Sequence, residues 1–425
     1  MSTSSLALEP EVAQEKVKNK TRTDHHLWGT YIVLVIFAIV ELFSASIQEV
    51  QDGDVFSPLI RHGRFIIAGF VIMLIMQRIP YRYLFSAIPL YVIGCLGLMT
   101  YVLFFGTAVN GAMRAIMIGS TPVLPAELMK LAAALGIGWI LNKFKDRHTG
   151  DVTRTGWWLC VGFTGACCGL LFTQGLSNTI VTGAICFSMM WVGGMGIKKF
   201  ACAVLLLGCI GGIGYKVKTS IKDNTALSPR QELILTLNKE EAEATASGRG
   251  ETWNKRFERH FRPNKHLEKF SVENQQEQLS YIAQAHGGLF GVGIGKSREN
   301  ARLPLAFSDY IFAIIIEELG LFRALLIPLA FMWILGRSAH LALSFKHTEP
   351  GALVMGCAFV IVFQAIFHMC IVSGFAPVSG QPLPLISKGG ISVVATSMAF
   401  GVMLSAARHA TRKSDEEQPV PAAES

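Results

Sequence analysis

The chain has 425 residues, 51% hydrophobic and 16% charged, with a mean hydropathy of +0.42. A soluble domain usually carries about a quarter charged residues, so an ordinary soluble protein is excluded. The formal net charge of +8 does not point to nucleic acid, because the basic residues fall mostly between apolar runs.

Residues 1–27 are polar, with no apolar core after a basic start, so they read as a cytoplasmic tail and not as a cleaved signal peptide. Ten apolar runs near membrane-spanning length follow, at about 28–46, 59–77, 84–106, 123–141, 157–174, 178–195, 200–215, 309–336, 352–373 and 389–407. Long unbroken runs predict helices, since a helix satisfies its own backbone in lipid whereas barrel strands would alternate. The predicted fold is an all-α polytopic integral membrane protein. Helices 1–7 occupy 28–215 and helices 8–10 occupy 309–408. A large extracytoplasmic loop, 216–308, lies between helices 7 and 8, and 409–425 form a cytoplasmic tail. The nine cysteines (95, 160, 167, 168, 186, 202, 209, 357 and 370) sit within or beside the runs without Cys-x-x-Cys spacing. They read as packing residues, not as a zinc site or disulfide framework.

Charge sets the orientation. Alternate short segments carry Lys16, Lys18, Lys20 and Arg22, then Arg78 and Arg82, then Lys143, Lys145, Arg147 and Arg154, and later Lys198, Lys199, Arg337, Lys346, Arg408, Arg412 and Lys413. The intervening loop 47–58 has acids and no base, and 107–122 holds only Arg114. The positive-inside rule therefore predicts both termini inside. Within 216–308, Ser228-Pro229-Arg230-Gln231 reads as a capping box that opens an amphipathic helix with Leu233, Ile234 and Leu237 on one face.

The stretch from Gln278 to Leu321 is the most informative. Gly287, Gly288, Gly291, Gly293 and Gly295 precede Lys296-Ser297. A Walker phosphate loop would need glycine where Phe290 stands, so that reading fails, and the glycines are expected to allow tight turns and the approach of a bulky ligand. Asp309 then stands where the chain turns apolar, and Glu317 and Glu318 lie inside the run. Ser308-Asp309 before an apolar run also reads as an ordinary helix N-cap. Acids at membrane depth read as functional, and one of the two glutamates is expected to pair with a base such as Lys130. Other candidate bases are Arg114 and the outer cluster Arg61, His62 and Arg64. Glu127 and Lys130, at i,i+3, share a helix face. The last outer loop, 379–390, is irregular and adds Lys388. No metal-ligand cluster stands out.

Taken together, these blocks resemble the SEDS family, the shape, elongation, division and sporulation proteins FtsW, RodA and SpoVE. The blocks are NGAMR at 110–114, LPAELMK at 124–130, GGLFGVGIG at 287–295, LPLAFSDYIFAIIIEELG at 303–320, QA at 364–365 and GQPLPLISKGG at 380–390. The last is closer to the FtsW branch than to the RodA branch. The chain departs from the family pattern at Leu124 and Ala126 beside Glu127, at Tyr310, at His368, at Ser379 and at Lys388-Gly389-Gly390-Ile391. The expectation is that Lys388 supplies the charge many members carry at position 379.

The resemblance implies a peptidoglycan glycosyltransferase that polymerises lipid II at the outer face of the bacterial cytoplasmic membrane during division. It makes Asp309 the catalytic base and pairs the chain with a class B penicillin-binding protein and other division proteins. Arg114, Lys130, Lys388 and Ser387 are the expected substrate and pyrophosphate contacts. Glu127, Glu317, Glu318, Gly288, Gly293, Gly295 and Pro384 are the expected supports. No cofactor is expected, although pyrophosphate could recruit a divalent cation. The alternatives are a lipid II flippase, a non-catalytic scaffold and the RodA-like elongation role.

Overall fold

A computed structural model describes residues 23–49, 57–109, 112–118, 121–146, 149–224, 260–262, 270, 274–300, 302–303 and 306–411. Seven helices come first: α1 His25–Glu49, α2 Ser57–Met76, α3 Tyr81–Phe105, α4 Pro125–Lys143, α5 Arg154–Gln174, α6 Leu176–Val192 and α7 Ile197–Asn224. After them come α8 Gln275–Gly287, α9 Ala306–Asp309, α10 Ile311–Leu319, α11 Leu321–Ala324, α12 Leu326–Ser344, α13 Thr348–Val372 and α14 Gly390–His409. Among the described residues, six helical segments are long and apolar enough to cross a membrane, and His62–Met76 and Leu176–Val192 are shorter apolar helices. The protein is an all-α polytopic membrane protein. The helix expected over 228–237 and nearly all of the enlarged segment 223–250 lie outside the described residues.

Burial sorts the helices. Almost every residue of α4 from Pro125 to Leu141 is buried, and α13 and α14 are nearly as enclosed. A helix apolar on all sides belongs at the centre of a bundle. On α1, α2, α3 and α12, by contrast, Ile36, Phe43, Ile67, Leu90, Phe104 and Trp333 are exposed. Such apolar perimeters are what lipid solvates. α14 packs along α2 where small residues bring the backbones together. A side chain at Gly401 would strike Met76 Cβ at 2.6 Å, the close approach expected where apolar tails give helices no other reason to associate.

The ends of the bundle are tied separately. At one end Arg337 donates to Asp24 Oδ2 from Nε and Nη2 at 3.1 and 2.6 Å, and Lys346 N donates to Thr411 O. Burial pushes the Asp24 carboxyl up, but the Arg337 hydrogen bonds, the Leu27 N–H and the Arg337 charge outweigh it and hold the group below its usual range. Lys199 Nζ in the first turn of α7 bonds Asp151 Oδ2, just before α5, at 2.8 Å.

Two features differ from the sequence reading. A small three-stranded antiparallel sheet, β1 Thr107–Val109, β2 Ala112–Ile118 and β3 Thr121–Val123, joins α3 to α4. The single span expected over 309–336 is instead broken into α9, α10, α11 and α12. Gly320, at φ +80° and ψ 160°, ends α10, and the membrane-length segment starts at Leu321. Asp309 closes α9, and Tyr310 occupies the cap position of α10 with no side-chain cap hydrogen bond. The N-cap reading of Asp309 therefore does not hold for α10.

Candidate active site

The glycine run and the two glutamates form one unit. Val292 N and Gly293 N donate to Glu317 O and Glu318 O at 2.9 Å, and Leu321 N donates to Gly288 O at 3.0 Å. A Cβ on Gly291 would lie 2.3 Å from Glu318 O, and one on Gly320 would lie 2.4 Å from Gly291 N. Both residues also have φ of +80°, so neither space nor conformation admits a side chain. What approaches Gly287 and Gly291 is the backbone at residues 316–320. Gly288, Gly293 and Gly295 supply further positive φ angles to the same turn.

The acids on α10 serve this fold. Glu317 accepts from Ser297 Oγ at 2.5 Å and from Arg298 N at 3.1 Å, with His286 Nδ1 at 3.7 Å. Glu318 accepts from Ser44 Oγ of α1 at 2.5 Å. Neither pairs with Lys130, which corrects the expected partnership. The reason is local: the glycine loop folds back over α10 and brings its own donors.

Lys130 is fully buried, and its ammonium lies 2.8 Å from Glu127 Oε1 and 3.3 Å from Gln381 Oε1. The other Glu127 oxygen accepts from Gln364 Nε2 at 3.1 Å, which also reaches Pro382 O at 3.2 Å. Gln381 Nε2 donates to Asn178 Oδ1 at 2.7 Å and to Ser177 Oγ at 3.3 Å. The Gln381 carbonyl sits 2.7 Å from His368 Nδ1, which places a proton on that nitrogen, because a carbonyl can only accept. Buried charges that are paired and hydrogen-bonded throughout are the arrangement a protein interior tolerates. This network pins 381–382 to α4, α6 and α13. It also means that Lys130 faces protein, not an open surface.

The same loop holds Asp309. Ser387 is buried; its Oγ accepts from Leu383 N at 2.7 Å and donates to Ser308 O at 2.9 Å. Lys388 N donates to Phe307 O at 2.9 Å. The four-residue helix α9 is thus docked on the loop by two neighbouring residues, and Ser387 is occupied by backbone partners. Ser308 Oγ donates to Asp309 Oδ1 at 2.9 Å. The carboxylate faces Gly380, where an added Cβ would come 3.1 Å from Oδ2. Asp309 is partly exposed, whereas Glu127, Glu299, Glu317 and Glu318 are buried. A carboxylate fixed by its neighbours and still partly accessible can serve as a general base.

The remaining expected residues are placed as follows. Pro384 is buried beside Leu385, which takes the left-handed φ of 65° in the tight 383–387 turn. Lys388 is partly exposed and lines a cavity with Phe307 and Ile311, which flank Asp309 two residues to either side. Arg114 lies on β2, but its side chain is outside the described portion. Residues not singled out by sequence are Gln381, Gly380, Ser177 and Asn178. The first two fall inside the GQPLPLISKGG block, but nothing in a linear sequence shows that Gln381 meets α6.

The profile of the cell cycle protein family of FtsW, RodA and SpoVE matches residues 24–412. A probable peptidoglycan glycosyltransferase FtsW from Burkholderia thailandensis is 28% identical over 400 residues, 90% of this chain and 78% of that relative. Stage V sporulation protein E of Bacillus subtilis is 27% identical over 404 residues, 92% of this chain and 98% of that one. The crystal structure of Thermus thermophilus RodA superposes with a TM-score of 0.60 at 20% identity, covering 94% of this chain and all of that one. A chain from a peptidoglycan synthase complex gives 0.61 at 22% identity, covering 91% of this chain and 98% of that one. At these identities the two structures carry the fold alone.

Proposed function

The chain belongs to the FtsW/RodA/SpoVE family of cell cycle proteins, and on that premise we propose that it is a peptidoglycan glycosyltransferase that polymerises lipid II. The observation that carries the reading is the partly exposed Asp309 carboxylate, docked through Ser308 and Ser387 on a loop that a buried network holds still. In the proposed reaction Asp309 takes the proton from the 4-hydroxyl of an acceptor N-acetylglucosamine. That oxygen attacks the anomeric carbon of the donor N-acetylmuramic acid with inversion, a β-1,4 bond forms, and undecaprenyl pyrophosphate leaves. Lys388 and Arg114 are the bases proposed to meet the leaving charge. Lys130 and Ser387 act one step back, by holding the loop that faces Asp309.

A general base contributes about 10²- to 10⁴-fold. Asp309→Asn in the purified, folded protein with its partner is expected to lose polymerisation by at least that lower factor, and a near wild-type rate would overturn the assignment. The chain contains no Ser-x-x-Lys, the nucleophile arrangement of penicillin-binding proteins. Crosslinking therefore falls to a partner, proposed here as a class B penicillin-binding protein at the division site. The proposed setting is the bacterial inner membrane, with both termini cytoplasmic and the Asp309 end outside. No resident cofactor is proposed; a divalent ion would arrive with the pyrophosphate. The transporter reading needs Glu317 and Glu318 in a translocation path, whereas both are engaged by Ser297, Arg298 and Ser44.

A further inference from the structure

The glycine loop presents an apolar face that the reaction above does not use. Between Gly287 and Lys296 no residue carries a polar side chain. Leu289, Phe290, Val292 and Ile294 are exposed there, Phe290 by 74%. Leu321 and Phe322, at the start of the membrane-length segment, are exposed as well, Phe322 by 73%. Phe322 N donates to Leu289 O at 3.2 Å, so the two strips are joined into one surface.

The depth of this surface follows from the helix behind it. Arg337 pairs with Asp24 at the other end of the bundle, and a charged pair belongs at the edge of the hydrocarbon or outside it. From Arg337 back to Leu321 a helix rises about 24 Å, less than the roughly 30 Å of a hydrocarbon core. Leu321 and the glycine loop bonded to it therefore lie below the far boundary, within the leaflet. Irregular backbone is admitted at that depth only where protein meets its polar groups. The loop fulfils this condition. Val292 N and Gly293 N bond to α10, and Leu321 N bonds to Gly288 O. Arg323 turns Nη1 onto Phe290 O and Leu319 O at 2.9 and 3.1 Å.

We propose that loop 288–294 is a re-entrant element whose Leu289, Phe290 and Ile294 side chains sit among the acyl chains of the outer leaflet. Lipid is the occupant this face fits. The exposed apolar surface continues into Leu325, Leu326, Leu329 and Met332 of the spanning helix, which lipid already solvates. A packed partner helix would call for small residues and close backbone approach, whereas large side chains protrude here. Because α10 hangs on the same backbone bonds, insertion fixes the depth at which α10 is held. The insertion does not depend on Asp309 being the base.

The test places photoreactive benzoyl-phenylalanine at single positions of the full chain in vesicles of phosphatidylethanolamine and phosphatidylglycerol. Phe290 and Phe322 are the test positions. Trp333, exposed on α12, is the lipid reference, and the exposed Arg302, between α8 and α9, is the aqueous one. After irradiation, lipid adducts on each peptide are measured by mass spectrometry. Phe290 and Phe322 are expected to match Trp333 and to exceed Arg302 at least about tenfold, the preference of one large apolar side chain for a non-aqueous phase. A probe at Ile294 replaces any variant that does not melt like wild type. Lipid labelling at Phe290 no higher than at Arg302 would overturn the insertion. So would adducts to protein in place of lipid, whether to a second copy or to an added partner. Crosslinking is read without turnover, so its outcome is independent of whether Asp309→Asn abolishes polymerisation.

Discussion

Glu127 and Asp309 stand at the same end of the bundle, linked through neighbouring residues of one loop, yet they are furnished in opposite ways. Glu127 is 9% exposed, and both its oxygens accept from buried donors, Lys130 and Gln364. Asp309 sits partly exposed on a four-residue helix and faces a glycine. The first carboxylate is paired on both oxygens deep in the bundle; the second is bonded by its neighbour Ser308 and stays partly accessible. On the proposed reading, depth alone does not mark the reactive acid. Glu317 and Glu318 are the most deeply buried of the set, and both are engaged by hydroxyl or backbone donors.

The contrast can be broken most severely at the paired carboxylate. Lys130→Met strands the Glu127 charge, and removing one partner of a buried pair costs about 3–5 kcal/mol. Thermal unfolding in detergent should show that loss, with much of it recovered in the Glu127→Gln, Lys130→Met double variant. Equal melting temperatures for the single and double variants would mean that the pair is not a unit. Next in size is Gly320→Ala, which forces a side chain against Gly291 N at φ +80°; strain and overpacking together are worth about 3 kcal/mol. Its melting temperature should fall well below that of Gly336→Ala, a glycine whose Cβ would meet nothing within 4 Å.

Ser387→Ala sharpens the comparison, because it unties α9 from the loop without touching Asp309. The expected stability loss is about 1–2 kcal/mol. Turnover should fall further than that loss explains, since a slightly loose catalytic group is a poor one. The smallest effect belongs to the far end of the molecule. The Asp24 carboxyl is held below its ordinary value of 3.8, so its contribution is fully present above that pH and is lost as pH falls through the depressed folded value. Arg337→Met should therefore cost about 1 kcal/mol near neutrality and progressively less in acid, as melting at a series of pH values would show.

Much of this was legible in the sequence. The apolar runs locate the helices, and the i,i+3 spacing correctly joins Glu127 to Lys130. The GGLFGVGIG and EELG blocks were recognisable as separate features. Their union was not, because it is made by backbone hydrogen bonds between Val292 or Gly293 and residues 317–318, and a backbone carries no side-chain signature. The break at Gly320 was hidden for a related reason. An apolar run from 309 to 336 has the composition of one long helix, and only the fold-back over α10 shows why a glycine must interrupt it. The sheet over 107–123 has no clear sequence signature, because AMRAIMI is too apolar to alternate visibly. The hub at Gln381 lies 251 residues from Lys130, beyond any periodicity.

The account turns on the two carboxylates having different tasks, and one measurement separates them. Polymerisation of lipid II by the protein with its partner in liposomes should be compared for wild type and Asp309→Asn, with melting and lipid II binding measured on the same samples. The account predicts a turnover at least about 100-fold lower with melting and binding little changed. A folded Asp309→Asn protein that polymerises near the wild-type rate would contradict it.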